Sequence, residues 1–388
     1  GGNWSAGVPT ASDDAVIPSV ANQPVVPAAG GACLNLQIDT TAGNVVLTLN
    51  GNLSIATAGT IAVTSGGNAS TITGAANITL LGTATVTNNS SGLLTIGCGN
   101  INAGPGADLI TFSGTGNIGI SAPILEGAGT PVTKIGAGTI TLSGTNTYTG
   151  VTTISAGGFT TAGPDIINDA SEVSMGAAGV FTLGGNETIN ALSGSGGSRI
   201  ELGANTLTIV QDNVGVFSGV IGGIGGGIIK QGSSQLVLTG ANTYTGPTLI
   251  SAGILNIQNN TALGTSDAGT TVATGARLSL QNSITITGET LALNNGAAYE
   301  LVNDNQSNTW DGPVHCVGRP NIIVFGGDLT ISGAISDDGN GFEKGGDLNR
   351  RLILSGNNIF TGQMGVAQGI LTLRHNNALG APGGGIAV

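Results

Sequence analysis

The sequence predicts an all-β chain wound as a right-handed parallel β-helix with essentially no helix, and three observations carry that prediction. The first is repetition: ITLSGTNTYTGVTTISAG at 140–157 returns as LVLTGANTYTGPTLISAG at 236–253, an offset of 96. The second is alternation. In ITLSG and TTISAG apolar residues alternate with Thr or Ser, the period of a strand with one buried face, and each run stops at Gly. The third is composition: Gly supplies 70 of 388 residues and charged side chains only 8%, while Thr, Ile, Val and Leu abound and mean hydropathy is positive. Disordered chains have the opposite bias, so this one folds, and folds as strands. Few Lys, Glu and Arg leave few helix formers, and the Ala and Leu present follow no 3.6-residue stripe.

Along the chain, residues 1–30 read as a cap and entry to the solenoid. Trp4 is expected to cover apolar surface over the first coil, while Pro9, Asp13, Asp14 and Pro18 discourage further strand pairing at an otherwise open edge. Residues 31–114 have strand-and-turn character without a clear repeat and read as irregular rungs. From 115 to 388 the repeats take over, with cores at 134–157, 230–253 and 344–369.

The first two cores align slot for slot: Lys134 with Lys230, Gly136 with Gly232, Asn146 with Asn242, Tyr148 with Tyr244, and Gly150 with Gly246. The third places Lys344, Asn358, Phe360 and Gly362 in the same slots, at an offset of 116 for the corner residues. Similar flanks surround them: ISAPI at 120–124, FSGVI at 217–221 and ISGAI at 331–335 upstream, then NNTALG at 259–264 and NNALG at 376–380 downstream. Unequal offsets mean that whole turns are inserted between copies, which a stacked solenoid accepts more easily than a closed barrel or a sandwich does.

Between the strands, NTYTG supplies Asn and Gly, which tolerate the left-handed backbone of a sharp corner. Tight reversals are expected only at a few places, LNG at 49–51 and NNG at 294–296, whereas most linkers are corners of a coil. Circuits of roughly 18–25 residues then stack with like above like. The repeat aromatics Tyr148, Tyr244 and Phe360 are expected to pack against the corner, with a platform for sugar rings as the sharper reading. Asn146, Asn242 and Asn358 are expected to satisfy corner backbone groups or to join an Asn ladder.

With K-x-G, L-x-L-[ST]-G-x-N-T-Y-T-G and I-S-A-G in place, the chain resembles the autotransporter-associated β-strand repeat, found in passenger regions of large secreted bacterial surface proteins. The resemblance covers most of 115–388, and NWSAGVPTASDDAVIP is similar to the segment that often opens such repeat regions. It implies export, display at the bacterial cell surface or outside it, and a structural or adhesive role. Two departures stand out: Ile359-Phe360 with a charged insert from Asp347 to Arg351 in the third copy, and no membrane barrel after the repeats. The end at NNALGAPGGGIAV carries no cap, so an excerpt of a longer chain or stacking on a neighbour is expected.

The formal charge of −12 repels a phosphate backbone, so nucleic acid is not an expected partner. No apolar run approaches 18 residues and no leader opens the chain, so neither a membrane helix nor a signal peptide is expected within it. Cys33, Cys98 and Cys316 are an odd number without CxxC spacing; they read as buried thiols, or as one Cys33–Cys98 bridge plus a free thiol.

Chemical candidates are few. A carbohydrate-cleaving β-helix needs two or three clustered carboxylates, and the candidates are Asp13 with Asp14, and Asp337, Asp338, Glu343 and Asp347. Beside Gly, Pro and Ser these read first as turn and cap residues. The second group, within SDDGNGFEKGGD, is also a weak Ca²⁺ candidate, but lacks the spacing of a calcium loop. His315 and His375 are isolated, no nucleophile elbow is present, and the glycine run at 219–227 precedes a strand rather than a helix.

The expected function is therefore a non-enzymatic extracellular β-helical rod, structural or adhesive, with no cofactor. Its expected partners are itself or a host or neighbouring cell surface. Two alternatives are an end-to-end filament or surface-layer subunit and a polysaccharide-processing enzyme.

Overall fold

The computed structural model describes residues 9–19, 23–103, 109–126, 129–294, 299–381 and 385–388; Trp4 lies outside them. Every regular element among these residues is a strand, and strand pairings run parallel. The chain forms two compact units, 1–190 with 197–199, and 191–196 with 200–388. Each is a β-solenoid whose successive coils lie 19 to 26 residues apart.

In the first unit Ile110–Gly114 pairs with Ala84–Asn88 before it and Val132–Lys134 after it. Thr152–Thr161 then pairs with Val132–Lys134 and with Glu172–Leu183. Side chains of like kind thus stack in columns, as in Ile110, Val132, Thr152 and Val173, each at most 1% exposed.

The second unit has three walls. One contains Gln235–Leu238, Ile254–Ile257, Arg277–Leu280, Leu301–Asn303, Asn321–Val324 and Glu343–Gly346. Another runs from Thr206–Val210 through Thr248–Ile250 to Ile335–Asp337, and the third from Thr285–Ile286 to Ile370–Leu373. Strand alternation sends Leu236, Leu255, Leu278, Leu301 and Ile322 inward, and all five are fully buried. Burying such a side chain stabilises by about 1.5–3 kcal/mol, and each coil contributes several.

Two expectations fail. LNG at 49–51 does not reverse the chain: Val45–Leu49 pairs in parallel with Ser70–Gly74, and the Asn50 amide donates to Val26 O at 3.0 Å. A parallel coil needs only a corner there. The corner glycines also act differently from expectation. Gly150, Gly246 and Gly362 are absent from the left-handed region that Gly136 (φ 78°) and Gly232 (φ 73°) occupy. Instead a Cβ on any of the three would collide with the backbone of the preceding coil, at Thr130, Gly226 and Gly341 respectively. Close coil stacking, not a left-handed turn, requires glycine there. Of NNG at 294–296, the last two residues lie outside the described ones.

Candidate functional site

The repeated phrase builds one polar device three times. Asn146 Oδ1 accepts the Ile124 amide at 2.9 Å and its Nδ2 donates to Ile166 O at 2.9 Å. Asn242 joins Ile221 and Ala262 in the same way, and Asn358 joins Ile335 and Ala378. Each carboxamide therefore clamps the coil before to the coil after, with both its donor and its acceptor buried and satisfied.

Tyr148, Tyr244 and Phe360 are fully buried. They offer no face to a sugar ring, so the platform reading does not hold at these positions. The tyrosine hydroxyls meet Thr152 at 3.1 Å and Thr248 at 2.6 Å, while Phe360 packs edge-to-face on Phe342 with centroids 5.2 Å apart.

A carboxylate locks two of the three corners from the coil before. Glu126 Oε1 accepts the amide and hydroxyl of Thr149 at 2.8 and 2.6 Å. Asp337 accepts the amides of Thr361, Gly362 and Gly341, each at 2.8 Å. The middle corner has Gly223 in that slot and uses another route: Thr245 Oγ1 accepts the Gly225 amide at 2.8 Å.

The lysine of each repeat lies inside the solenoid, a placement not anticipated above. Lys134 stands in register between Phe112 and Ile154, Lys230 between Ile209 and Ile250, and Lys344 between Ile322 and Val366. Each is at most 2% exposed. Lys230 Nζ donates to the carbonyls of Gln231, Gly232 and Ala252 at 2.6, 3.0 and 3.2 Å. Lys134 uses Ile135, Gly136 and Ala156, and Lys344 uses Gly345 and Gln368. Burial pushes the ammonium pKa of Lys134 and Lys230 down to about 8, and the ring of carbonyls favours the charged form. The available signal was phase: in VTK and IIK the Lys falls two residues after a core Val or Ile.

Three carboxyls, Glu187, Glu289 and Glu300, are also buried among the described residues, and Glu300 accepts the Asn321 amide at 2.8 Å. Glu187 accepts the Ile166 and Ile167 amides at 3.2 and 2.9 Å, and burial raises its pKa to about 8. Glu289 accepts the Thr270 hydroxyl at 2.7 Å and burial raises it to about 7.

The sequence-nominated chemical groups do not converge. Asp337 is committed to amides, Asp338 accepts from the Gly318 amide and Asn340 at 2.9 Å each, and Glu343 pairs with Arg319 at 3.3 Å. Asp347 is exposed, and its carbonyl accepts the Arg350 amide at 3.1 Å. No group of three or more His, Cys, Asp or Glu able to hold a metal occurs among the described residues. Asp13 accepts from Thr10, and Asp14 from Asn35 at 2.7 Å. His315 Nδ1 lies 3.0 Å from Ser336 Oγ, and His375 Nδ1 accepts the Asn377 amide. Cys33, Cys98 and Cys316 are free and buried, which removes the Cys33–Cys98 bridge.

Three segments, 132–159, 228–257 and 351–373, match the passenger-associated-transport-repeat family. They overlap the three sets of clamps. Over 285 residues the chain is 29% identical to the adhesin BmaC autotransporter of Brucella suis biovar 1, a match that takes in 70% of this chain and 8% of that relative. The chain thus matches only a small part of that curated relative. No solved structure matches.

Proposed function

We propose that this autotransporter-passenger-like chain is a non-enzymatic β-helical stretch of a secreted or surface-displayed adhesin, where it holds binding surfaces away from the cell. One observation carries the reading: the Asn and Lys that recur in all three repeats are spent on joining coil to coil. Asn146, Lys134 and Glu126, the most distinctive side chains of the first copy, all bond to backbone groups. A phrase repeated for catalysis or ligand capture would present such groups to solvent; these make a stiff scaffold. The adhesin relative supports the surface role.

The test is attachment. Beads coated with the purified chain are expected to bind host or neighbouring bacterial cells above albumin-coated beads, and to release no sugar from a panel of neutral and acidic glycans. Equal attachment of both bead types would overturn the adhesive reading, and product release would overturn the non-enzymatic one.

A further inference from the structure

One outward sheet face in the second unit is closed over by its own side chains. In the wall from Gln235–Leu238 to Asn321–Val324, alternation sends Val237, Asn256, Ser279, Val302 and Ile323 away from the core. They are nonetheless only 8, 0, 0, 0 and 4% exposed. Longer neighbours fold across them. Gln258 Nε2 donates to Asn256 Oδ1 at 2.9 Å and to Gln281 Oε1 at 3.0 Å, Asn256 Nδ2 donates to Ser279 Oγ at 2.9 Å, and the Ser279 hydroxyl donates to Asp304.

Beside this polar row the Tyr299 and Phe325 rings meet edge-to-face, with centroids 6.0 Å apart and planes at 78°. The Arg277 guanidinium sits 5.5 Å from the centre of the Tyr299 ring. Tyr299 is 44% exposed and Phe325 37%, whereas the repeat aromatics are fully buried. Two part-exposed rings held by each other and by Arg277 thus adjoin a row of planar polar side chains.

We propose that this face binds a neutral polysaccharide, its sugar rings stacked on Tyr299 and Phe325 and its hydroxyls bonded along Gln258, Gln281 and Asp304. The chemistry fits because a hexose has an apolar C–H face and a polar rim, which suit an aromatic face and planar bidentate groups. Spacing fits as well. Gln258, Gln281 and Asp304 each follow the core residue of successive paired strands, Ile257, Leu280 and Asn303, so they recur at the strand separation of about 4.8 Å. One hexose unit of an extended glycan is close to that length. The chain's charge of −12 and the Asp304 carboxylate on the row select against uronic or sulfated polymers. The proposal rests on the surface reading only for where such a polymer is met.

The experiment is affinity electrophoresis and calorimetry of the whole 388-residue chain against neutral glucans, mannans and galactans, with polygalacturonate as the acidic control. At least one neutral polymer is expected to bind. Tyr299→Ala with Phe325→Ala is expected to weaken that binding at least about tenfold, the loss of two ring contacts, with an unchanged circular dichroism spectrum. Should that variant misfold, Gln258→Ala with Gln281→Ala reads the same surface while removing little buried apolar area. Binding to none of the neutral polymers, binding to polygalacturonate alone, or folded variants that bind as tightly as the parent would overturn the proposal. Glycan binding by a chain whose beads attach to no cell would sustain this site and sink the adhesive reading.

Discussion

Tyr244 and Thr248 place their hydroxyl oxygens 2.6 Å apart in the core, and the third repeat replaces both at once with Phe360 and Met364 in the same slots. Tyr148 and Thr152 repeat the polar version at 3.1 Å. The chain thus contains two solutions to one packing problem, a hydroxyl pair or an apolar pair, and never half of each. Tyr244→Phe alone strands the Thr248 hydroxyl in a dry site and is expected to cost about 1–3 kcal/mol. Adding Thr248→Val is expected to recover most of that loss. Thermal or urea unfolding of both singles and the double gives the coupling; strictly additive losses would refute the pairing.

Asn242 ties Ile221 to Ala262 through two buried hydrogen bonds. Asn242→Ala orphans an amide and a carbonyl together and is expected to cost about 2–5 kcal/mol. Because solenoid coils depend chiefly on their neighbours, hydrogen exchange should quicken first at the Ile221 amide. Uniform acceleration along the chain would argue against a local clamp.

Lys230 holds three carbonyls, and Lys230→Met is expected to destabilise the chain at pH 7 by about 2–4 kcal/mol through their lost partner. The pH dependence has a definite sign. Burial lowers the folded pKa from 10.5 to about 8, so between those values the unfolded chain carries more protons and stability rises with pH. The parent should therefore gain on Lys230→Met as pH climbs from 8 to 10.5. A constant gap between the two melting curves would contradict the buried ammonium.

Glu289 titrates in the opposite sense. Its folded pKa is raised from 4.5 to about 7 by burial, so the folded chain binds the extra proton and stability falls as pH rises through that window. Glu289→Gln keeps an acceptor for Thr270 and cannot ionise. The two proteins should melt together near pH 4, and the variant should melt higher by pH 8. A crossover in the other direction would show the carboxylate to be charged and stabilising.

Asp337 is buried enough to raise its pKa, yet the amides of Thr361, Gly362 and Gly341 outweigh this and hold it below the ordinary carboxylate range. Its oxygens point at N–H donors, which repel a cation. Millimolar Ca²⁺ or a chelator is expected to leave the melting temperature unchanged, whereas Asp337→Ala should speed exchange at Thr361 and Gly362. A Ca²⁺-dependent rise in melting temperature that Asp337→Ala abolishes would overturn this assignment.

What could be read from the residues alone followed from periodicity. The period of two in ITLSG, the glycine stops and the recurrence of N-x-[YF]-T-G required short parallel strands stacked with like above like, because only such a coil gives every copy the same neighbours. The inward phase of Leu236, Leu255 and Leu278 was implicit in the same alternation. The tertiary structure decided what polar side chains do at a distance of one coil. Asn146 looks like a turn residue until Ile124 and Ile166 are stacked on either side of it. Lys134 looks solvent-exposed until Ile135, Gly136 and Ala156 turn their carbonyls inward. Arg277, Tyr299 and Phe325 share no motif and meet only because successive coils lay them side by side. Pattern along a chain specifies the strand and its buried face, which are local, whereas partners some twenty residues away are brought within bonding distance only by the pitch and register of the coil.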